Sequence, residues 1–174
     1  TGRVIIPAAL RTWGFQNIHV VAEQMVVDGN FPTVVSPNPE NSEAMTMGMN
    51  LGTKLNADLV IASDPDADRL AIVCRNDKGE WEILNGNQTA MMFSWYIITN
   101  KKKLGQLKGN EFMVKTIVTS ELIADIARKN NVEVIFFQHD AGPDSGMSAG
   151  DEAFDIIDRI APAEGEKVYV KSIN

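Results

Sequence analysis

The sequence is poor in cysteine, in basic charge and in long apolar runs. Cys74 is the only cysteine among 174 residues, so no intramolecular disulfide can form, and a reducing, cytoplasmic setting fits this usage. No apolar run approaches the roughly 20 residues that span a bilayer, and no basic start with an apolar core and a cleavage site suggests a signal peptide. The formal net charge of -7 argues against nucleic acid as the main partner, because phosphate binding needs a basic surface.

Hydrophobic residues make up 44% and charged residues 22% of the chain, which is an ordinary globular balance. Short apolar runs typical of strands alternate with segments of helical spacing. We predict strands over 18–23, 57–62, 70–75 and 81–84, and helices over 4–13 and 43–56, the second capped by Ser42. This alternation indicates an α/β fold whose sheet is largely covered.

The pattern changes after Leu84, and a second α/β unit is predicted there. A helix over 89–103 carries a methionine and aromatic stripe that we expect to lie in the core. Further elements are predicted as a strand over 112–118, a helix over 119–131 capped by Thr119 or Ser120, a strand over 132–137, a short helix over 153–161 and a strand over 167–173. The predicted organisation is therefore a domain at 1–84, a partial domain at 85–138, and a linker and tail at 139–174.

The stretch "LVIASDPDADRL" places three carboxylates, those of Asp64, Asp66 and Asp68, directly after a buried strand. Alternate residues of an extended segment point to opposite sides, so the three converge only if Pro65 helps the loop to curl. Carboxylates packed this way repel one another unless a divalent cation lies between them, and oxygen-only ligands suit Mg²⁺. Arg69 follows at once, and metal plus arginine is equipment for stabilising a phosphoryl group in transfer.

Several interpretations of this stretch compete. A calcium-binding EF-hand needs glycine at the sixth position and an acid at the twelfth, where this sequence has Arg69 and Arg75. A phosphotransferase of the haloacid-dehalogenase type would use Asp64 as a nucleophile and form an aspartyl phosphate. An acidic surface turn without a ligand, with Arg69 merely pairing within the loop, is the third alternative.

The segment "DPDADR" resembles the metal-binding loop of the α-D-phosphohexomutases, the family that includes phosphoglucomutase and phosphomannomutase. Four more stretches are similar to segments of that family: "TGRVIIPAAL", "DGNFPTVVSPNPE", "LNGNQTAMM" and "VKTIVTSELIADIA". The resemblance covers about residues 1–135 and corresponds to most of domain two and the start of domain three of a four-domain enzyme. It implies a three-layer α/β/α domain with a mixed sheet, followed by part of a second similar unit.

The resemblance also implies a chemistry. In this family a phosphoserine donates its phosphoryl group to a sugar phosphate, the bisphosphate intermediate reorients, and a phosphoryl group returns from its other end. By match to the motif, Asp64, Asp66 and Asp68 are the Mg²⁺ ligands, and Arg69 lies near the phosphoryl group in transfer. Lys115, in "VKT", lies where some relatives carry a substrate-contacting lysine, although the spacing differs, and a solvated strand lysine is the alternative.

Other segments of the family do not occur in this sequence. They are the segment around the phosphoserine, the sugar-reading segment of the third domain and the phosphate-binding segment of the fourth, and "IFFQHDAGPDSG" replaces the stretch expected after Val134. We therefore expect a fragment of a phosphohexomutase, inactive alone, whose partners are a hexose phosphate and the remaining domains, with no nucleic acid and no membrane. A phosphopentomutase of the same superfamily stays as an alternative, because the residues that select the sugar are absent.

Overall fold

The structure is a computed structural model, and it describes residues 1–143, 145–146, 148–149, 151, 154–156 and 160–172. The chain forms two compact units, Thr1–Thr89 and Ala90–Asn174. The elements of the first are α1 (Gly2–Thr12), a 3-10 turn (Ala22–Met25), α2 (Ser42–Leu55), β1 (Leu59–Ser63), β2 (Leu70–Arg75) and β3 (Trp81–Leu84). The next elements are α3 (Gly86–Lys103), whose first turn belongs to the first unit, β4 (Phe112–Thr116), α4 (Glu121–Lys129), β5 (Glu133–Asp140) and β6 (Lys167–Ser172). No helix in these described ranges is long and apolar enough to cross a membrane.

The sheet of the first unit has the order β1-β2-β3, and both pairs are antiparallel. The loops over 64–69 and 76–80 that join its strands are too short for a crossover, so each strand must return beside the one before it. In the second loop, Asn76 Oδ1 accepts hydrogen bonds from the backbone N–H groups of Lys78 and Glu80, which closes the turn.

Helix α2 packs closely on this sheet because two of its residues are glycines. A Cβ atom on Gly48 would lie 2.9 Å from Val60 Cγ1, and one on Gly52 would lie 3.0 Å from both Val60 Cγ2 and the Trp81 ring. The buried centre of the unit consists of Met45, Ala71 and Val73, with Met49, Val60, Ala62, Trp81 and Ile83 packed against them. This core fixes β1, and with it the starting point of the loop over 64–69.

The second unit has a parallel sheet of order β4-β5-β6. Helix α4 connects β4 to β5 as a crossover, which parallel neighbours require. It begins as expected, since Ser120 Oγ accepts a hydrogen bond from the Leu122 backbone N–H at 3.3 Å. The core of this unit contains Ile98, Ala124, Ala127, Val132, Val134 and Phe136.

The predicted α/β class is confirmed, and four expectations need correction, three about the sheets and caps and one about α3. The described strands do not form a mixed sheet, because short loops impose antiparallel pairing in one unit and a helical crossover imposes parallel pairing in the other. The strand over 18–23 is wrong, because this extended run has no paired neighbour in the described chain and turns into the 3-10 segment. The N-cap position of α2 is Asn41, whose side chain makes no capping hydrogen bond, and Ser42 is the first helical residue. The helix predicted over 153–161 lies largely outside the described residues.

The methionine and aromatic stripe of α3 does not lie in the core of this chain. Met92, Phe93, Trp95 and Tyr96 are between 42% and 60% exposed, whereas Ser94 and Ile98 are buried. The helix is apolar almost all round from residue 90 to 98, so periodicity could not indicate which side would be covered.

Candidate metal centre

The loop over 64–69 is a tight turn between the last residue of β1 and the first of β2. The Asp64 backbone N–H donates to the Arg69 carbonyl oxygen at 3.4 Å, and the Ala67 backbone N–H donates to the Asp64 carbonyl oxygen at 3.1 Å. Ala67 has a φ of 67°, in the left-handed region that side chains rarely adopt. The curl expected from "DPDADR" is therefore present, and it turns the three carboxylates toward one another.

The three aspartates occupy different environments. Asp64 is only 2% exposed, and both of its carboxylate oxygens accept hydrogen bonds from Arg69. Oδ1 accepts from the Arg69 backbone N–H at 3.2 Å, and Oδ2 accepts from Arg69 Nε at 2.8 Å. Asp66 and Asp68 are exposed at the tip of the loop. One carboxylate oxygen from each of the three lies within 4.8 Å of the others.

The electrostatics of the loop follow from this crowding. Burial would raise the pKa of Asp64, but hydrogen bonds from the Arg69 side chain and backbone and from Asp68 outweigh it, and the pKa lies well below its ordinary value. The neighbouring Asp64 carboxylate, through a hydrogen bond and through its charge, raises the pKa of Asp68. The cluster therefore holds more negative charge than Arg69 alone neutralises.

The donor set fits a hard divalent cation. All three side chains offer carboxylate oxygens, which Mg²⁺ and Mn²⁺ prefer, and the cluster contains no nitrogen or sulfur donor. The three oxygens lie within 4.8 Å of one another, and Asp66 and Asp68 are exposed, so small movements of these two side chains would let all three residues hold one cation.

Arg69 presents part of its guanidinium to solvent. Its side chain is half exposed, and its Nε lies 2.8 Å from Asp64 Oδ2 and 3.5 Å from Asp68 Oδ1. Neither Nη atom donates a hydrogen bond to the part of the chain that the structure describes. The hydrogen bond to Asp64 raises the pKa of Arg69, and the carboxylate of Glu40 acts in the same direction from a distance. The charged guanidinium group of Arg69 therefore lies beside the three carboxylates.

The start of α1 forms one wall of this loop, a contact that the sequence did not indicate. Gly2 is buried, and a Cβ atom there would lie 2.1 Å from Ser63 Oγ and 3.4 Å from Ala67 Cβ. The nitrogen of Thr1 donates to the Pro65 carbonyl oxygen at 3.1 Å. A glycine directly before a helical run was the available signal, since it marks a close approach of backbone.

Two cavities adjoin the loop within the first unit. One has a volume of about 370 Å³, and its lining includes Arg3, Ser63 and Asp64 together with many apolar residues of the segment over 26–39. The other has a volume of about 400 Å³, and Glu40 and Leu70 line it. Both volumes are in the range of small-molecule sites.

Lys115 lies in the second unit, on β4. Its side chain is 1% exposed, its Nζ is 3.1 Å from Glu121 Oε2, and the same nitrogen lies 4.7 Å from the centre of the Phe136 ring. The solvated alternative is therefore wrong, because the sheet and α4 enclose the side chain. Contact with a substrate stays a prediction for this residue.

Comparison with known proteins assigns the loop to a domain type. Residues 1–79 match the family model described as phosphoglucomutase/phosphomannomutase, alpha/beta/alpha domain II. Over 129 residues, 74% of this chain, the sequence is 36% identical to a probable phosphomannomutase of Haemophilus influenzae and 40% identical to a phosphoglucomutase of Staphylococcus aureus, covering 25% and 23% of those proteins. It is also 33% identical over 132 residues, 74% of this chain, to a phosphopentomutase of Mus musculus, of which it covers 21%.

The chain thus spans about a quarter of the length of the curated relatives it matches. The metal-loop motif lies inside the matched domain, at residues 64–69. The chain belongs to the phosphoglucomutase/phosphomannomutase family, the α-D-phosphohexomutases, and its first 79 residues match the α/β/α domain II of that family.

Proposed function

We propose that this chain supplies the metal-binding domain of a phosphohexomutase, an isomerase that moves a phosphoryl group within a hexose phosphate with Mg²⁺ as cofactor. One observation carries the proposal: three carboxylates converge within 4.8 Å beside a half-exposed arginine, inside a segment that matches domain II. An acidic surface turn without a ligand would account for the Asp64–Arg69 pair, but it would gain nothing from drawing the Asp66 and Asp68 carboxylates toward Asp64.

The residues of the proposed site have two different roles, metal binding and stabilisation of the phosphoryl group. Asp64, Asp66 and Asp68 would hold the cation through one carboxylate oxygen each. When bound, the cation supplies electrophilic stabilisation to the oxygens of a phosphoryl group. The Nη atoms of Arg69 donate no hydrogen bond to the described residues, so they can donate to the oxygens of such a group, which makes Arg69 the catalytic candidate.

The alternative in which Asp64 acts as a phosphotransferase nucleophile fits the geometry less well. The Asp64 side chain is buried, and both of its oxygens accept hydrogen bonds from Arg69, which stabilise the carboxylate and make it a weaker nucleophile. Beryllofluoride trapping tests this alternative, because a stable adduct on Asp64 would favour it.

The choice of sugar is a separate matter. Relatives named as phosphomannomutase, phosphoglucomutase and phosphopentomutase all match with 33% to 40% identity, so these matches do not select one sugar. We propose a hexose phosphate as the substrate of the parent enzyme, with a pentose phosphate as the second candidate because of the mouse relative. We further propose a cytoplasmic enzyme whose other domains supply the phosphoserine and the sugar contacts, so that this chain alone has no mutase activity.

Calorimetric titration of Mn²⁺ or Mg²⁺ tests the metal site directly. The wild-type chain is expected to bind one ion, and Asp66→Asn is expected to bind at least tenfold more weakly, because it removes one exposed ligand without touching Arg69. Asp77→Asn, an exposed aspartate in the turn over 76–80, is the matched control and should bind like the wild type. Equal affinity in all three proteins would contradict the assignment, and sustained interconversion of glucose 1-phosphate and glucose 6-phosphate by the pure chain would contradict its inactivity.

A further inference from the structure

We propose that Arg69 is a positioning residue for the metal loop, one that raises the loop's affinity for a divalent cation although it carries the same sign of charge. The inference rests on the proposed metal site at Asp64, Asp66 and Asp68. It assigns Arg69 a role that precedes any contact with substrate: holding the loop in its cation-binding shape.

The two ends of the loop, Asp64 and Arg69, are joined by three hydrogen bonds, and we call this pair the neck of the loop. The Asp64 backbone N–H donates to the Arg69 carbonyl oxygen at 3.4 Å, the Arg69 backbone N–H donates to Asp64 Oδ1 at 3.2 Å, and Arg69 Nε donates to Asp64 Oδ2 at 2.8 Å. The side-chain bond joins the two ends of the turn, so it fixes the plane of the Asp64 carboxylate. Asp66 and Asp68 project from the tip that this neck closes.

Arg69 and a cation can use Asp64 together. A carboxylate has about four lone-pair positions, and Arg69 occupies two of them, one on each oxygen. The remaining positions are sufficient for a metal bond through one oxygen. Hydrogen-bond partners of metal-binding groups orient them, and their removal usually costs 10–100-fold in metal affinity.

Electrostatic repulsion alone predicts that Arg69 lowers the affinity of the loop for a divalent cation. A guanidinium so close to the cluster repels a divalent cation, so its removal should strengthen binding if charge were the only effect. The alternative in which Arg69 merely occupies the metal site therefore predicts tighter binding by an uncharged variant. A positioning role predicts weaker cation binding by the same variant. The direction of the change in affinity therefore distinguishes the two hypotheses.

The test is Mn²⁺ titration of the full chain and of Arg69→Gln, Arg69→Lys and Arg75→Gln. Arg75, at the end of β2, is bonded to the Gly79 carbonyl oxygen and stacked over Trp81, so its variant removes the same charge away from the loop. We expect Arg69→Gln to bind Mn²⁺ 10–100-fold more weakly and Arg75→Gln to bind like the wild type. Arg69→Lys keeps the charge and loses the planar Nε contact, and should also bind at least tenfold more weakly.

Equal or tighter binding by Arg69→Gln would overturn the inference, and so would wild-type affinity in Arg69→Lys. Circular dichroism and urea unfolding without metal check that the variants are folded. If Arg69→Gln does not fold, Arg69→Lys decides alone. A wild-type chain that binds no Mn²⁺ would overturn the metal site and this inference together, whereas a wild-type chain that binds beside an unaffected Arg69→Gln would overturn only this inference.

Discussion

Replacing Gly2 by alanine should destabilise the first unit, because the start of α1 rests directly on β1 and the metal loop. The added Cβ atom would lie 2.1 Å from Ser63 Oγ, 3.3 Å from Ser63 Cβ and 3.4 Å from Ala67 Cβ. The first distance is a clash, and the other two are tight contacts that backbone adjustments of a few tenths of an ångström could relieve.

The magnitude follows from two opposing effects. Overpacking of a well-packed site costs about 1–3 kcal/mol. Alanine is better than glycine in a helix by up to about 1 kcal/mol, which offsets part of that cost. The expected net loss in the free energy of unfolding for Gly2→Ala is about 1–2 kcal/mol, measured by urea denaturation at neutral pH.

A double-mutant cycle locates the clash. In a Ser63→Ala background the hydroxyl is gone, so the cost of Gly2→Ala should fall by about 1 kcal/mol or more. Gly29→Ala is the control, because a Cβ atom there meets nothing within 4 Å. The packing argument would be refuted if Gly2→Ala stabilised the protein, or if its cost were the same with and without the Ser63 hydroxyl.

Three further outcomes are expected from single residues. Ala67→Gly should stabilise the first unit by about 0.5–1 kcal/mol in urea, because it relieves a φ of 67°; a loss of stability would contradict this. Glu121→Ala should cost about 3 kcal/mol by the same assay, since it removes the carboxylate that is hydrogen-bonded to the buried Lys115 ammonium, and a cost near zero would mean that the Phe136 ring and the charge of Glu166 are sufficient partners. The hydrogen bonds from Arg128 lower the pKa of Glu166, so their stabilisation should be complete above the ordinary glutamate pKa of about 4.3 and be lost as the pH falls below it. Glu166→Gln should therefore reduce the fall in stability between pH 6 and pH 3, and an unchanged pH profile would count against that ion pair.

The sequence indicated those features that depend on near neighbours. Strands β1 to β3, helix α4 with its Ser120 cap and the curled loop after β1 were all predictable, because apolar spacing, capping residues and turn residues act within a few positions. The convergence of Asp64, Asp66 and Asp68 was predictable for the same reason, because the three residues are close in the chain and one tight turn brings them together; that they hold a metal ion stays a prediction.

Other features depend on contacts between residues that are distant in the sequence, and the sequence did not predict them. The run over 18–23 has strand composition but no partner strand in the described chain, and composition cannot supply one. The side of α3 that packs inward depends on where α4 lies, so its exposed aromatic residues could not be predicted from a helix that is apolar nearly all round. The burial of Lys115 likewise depends on α4, which brings Glu121 to within 3.1 Å of its ammonium.

For the site itself, the sequence determined which groups are present, and the tertiary structure decided how they differ. Three identical aspartates follow one another at equal spacing, and nothing in that pattern separates the first from the others. The local curl of the loop brings Arg69 back to Asp64, but the start of α1 packs beside it against Ser63 and Ala67, and Asp64 is buried while Asp66 and Asp68 stay in solvent. Spacing along a chain fixes only local geometry, and burial depends on elements that arrive from elsewhere in the sequence.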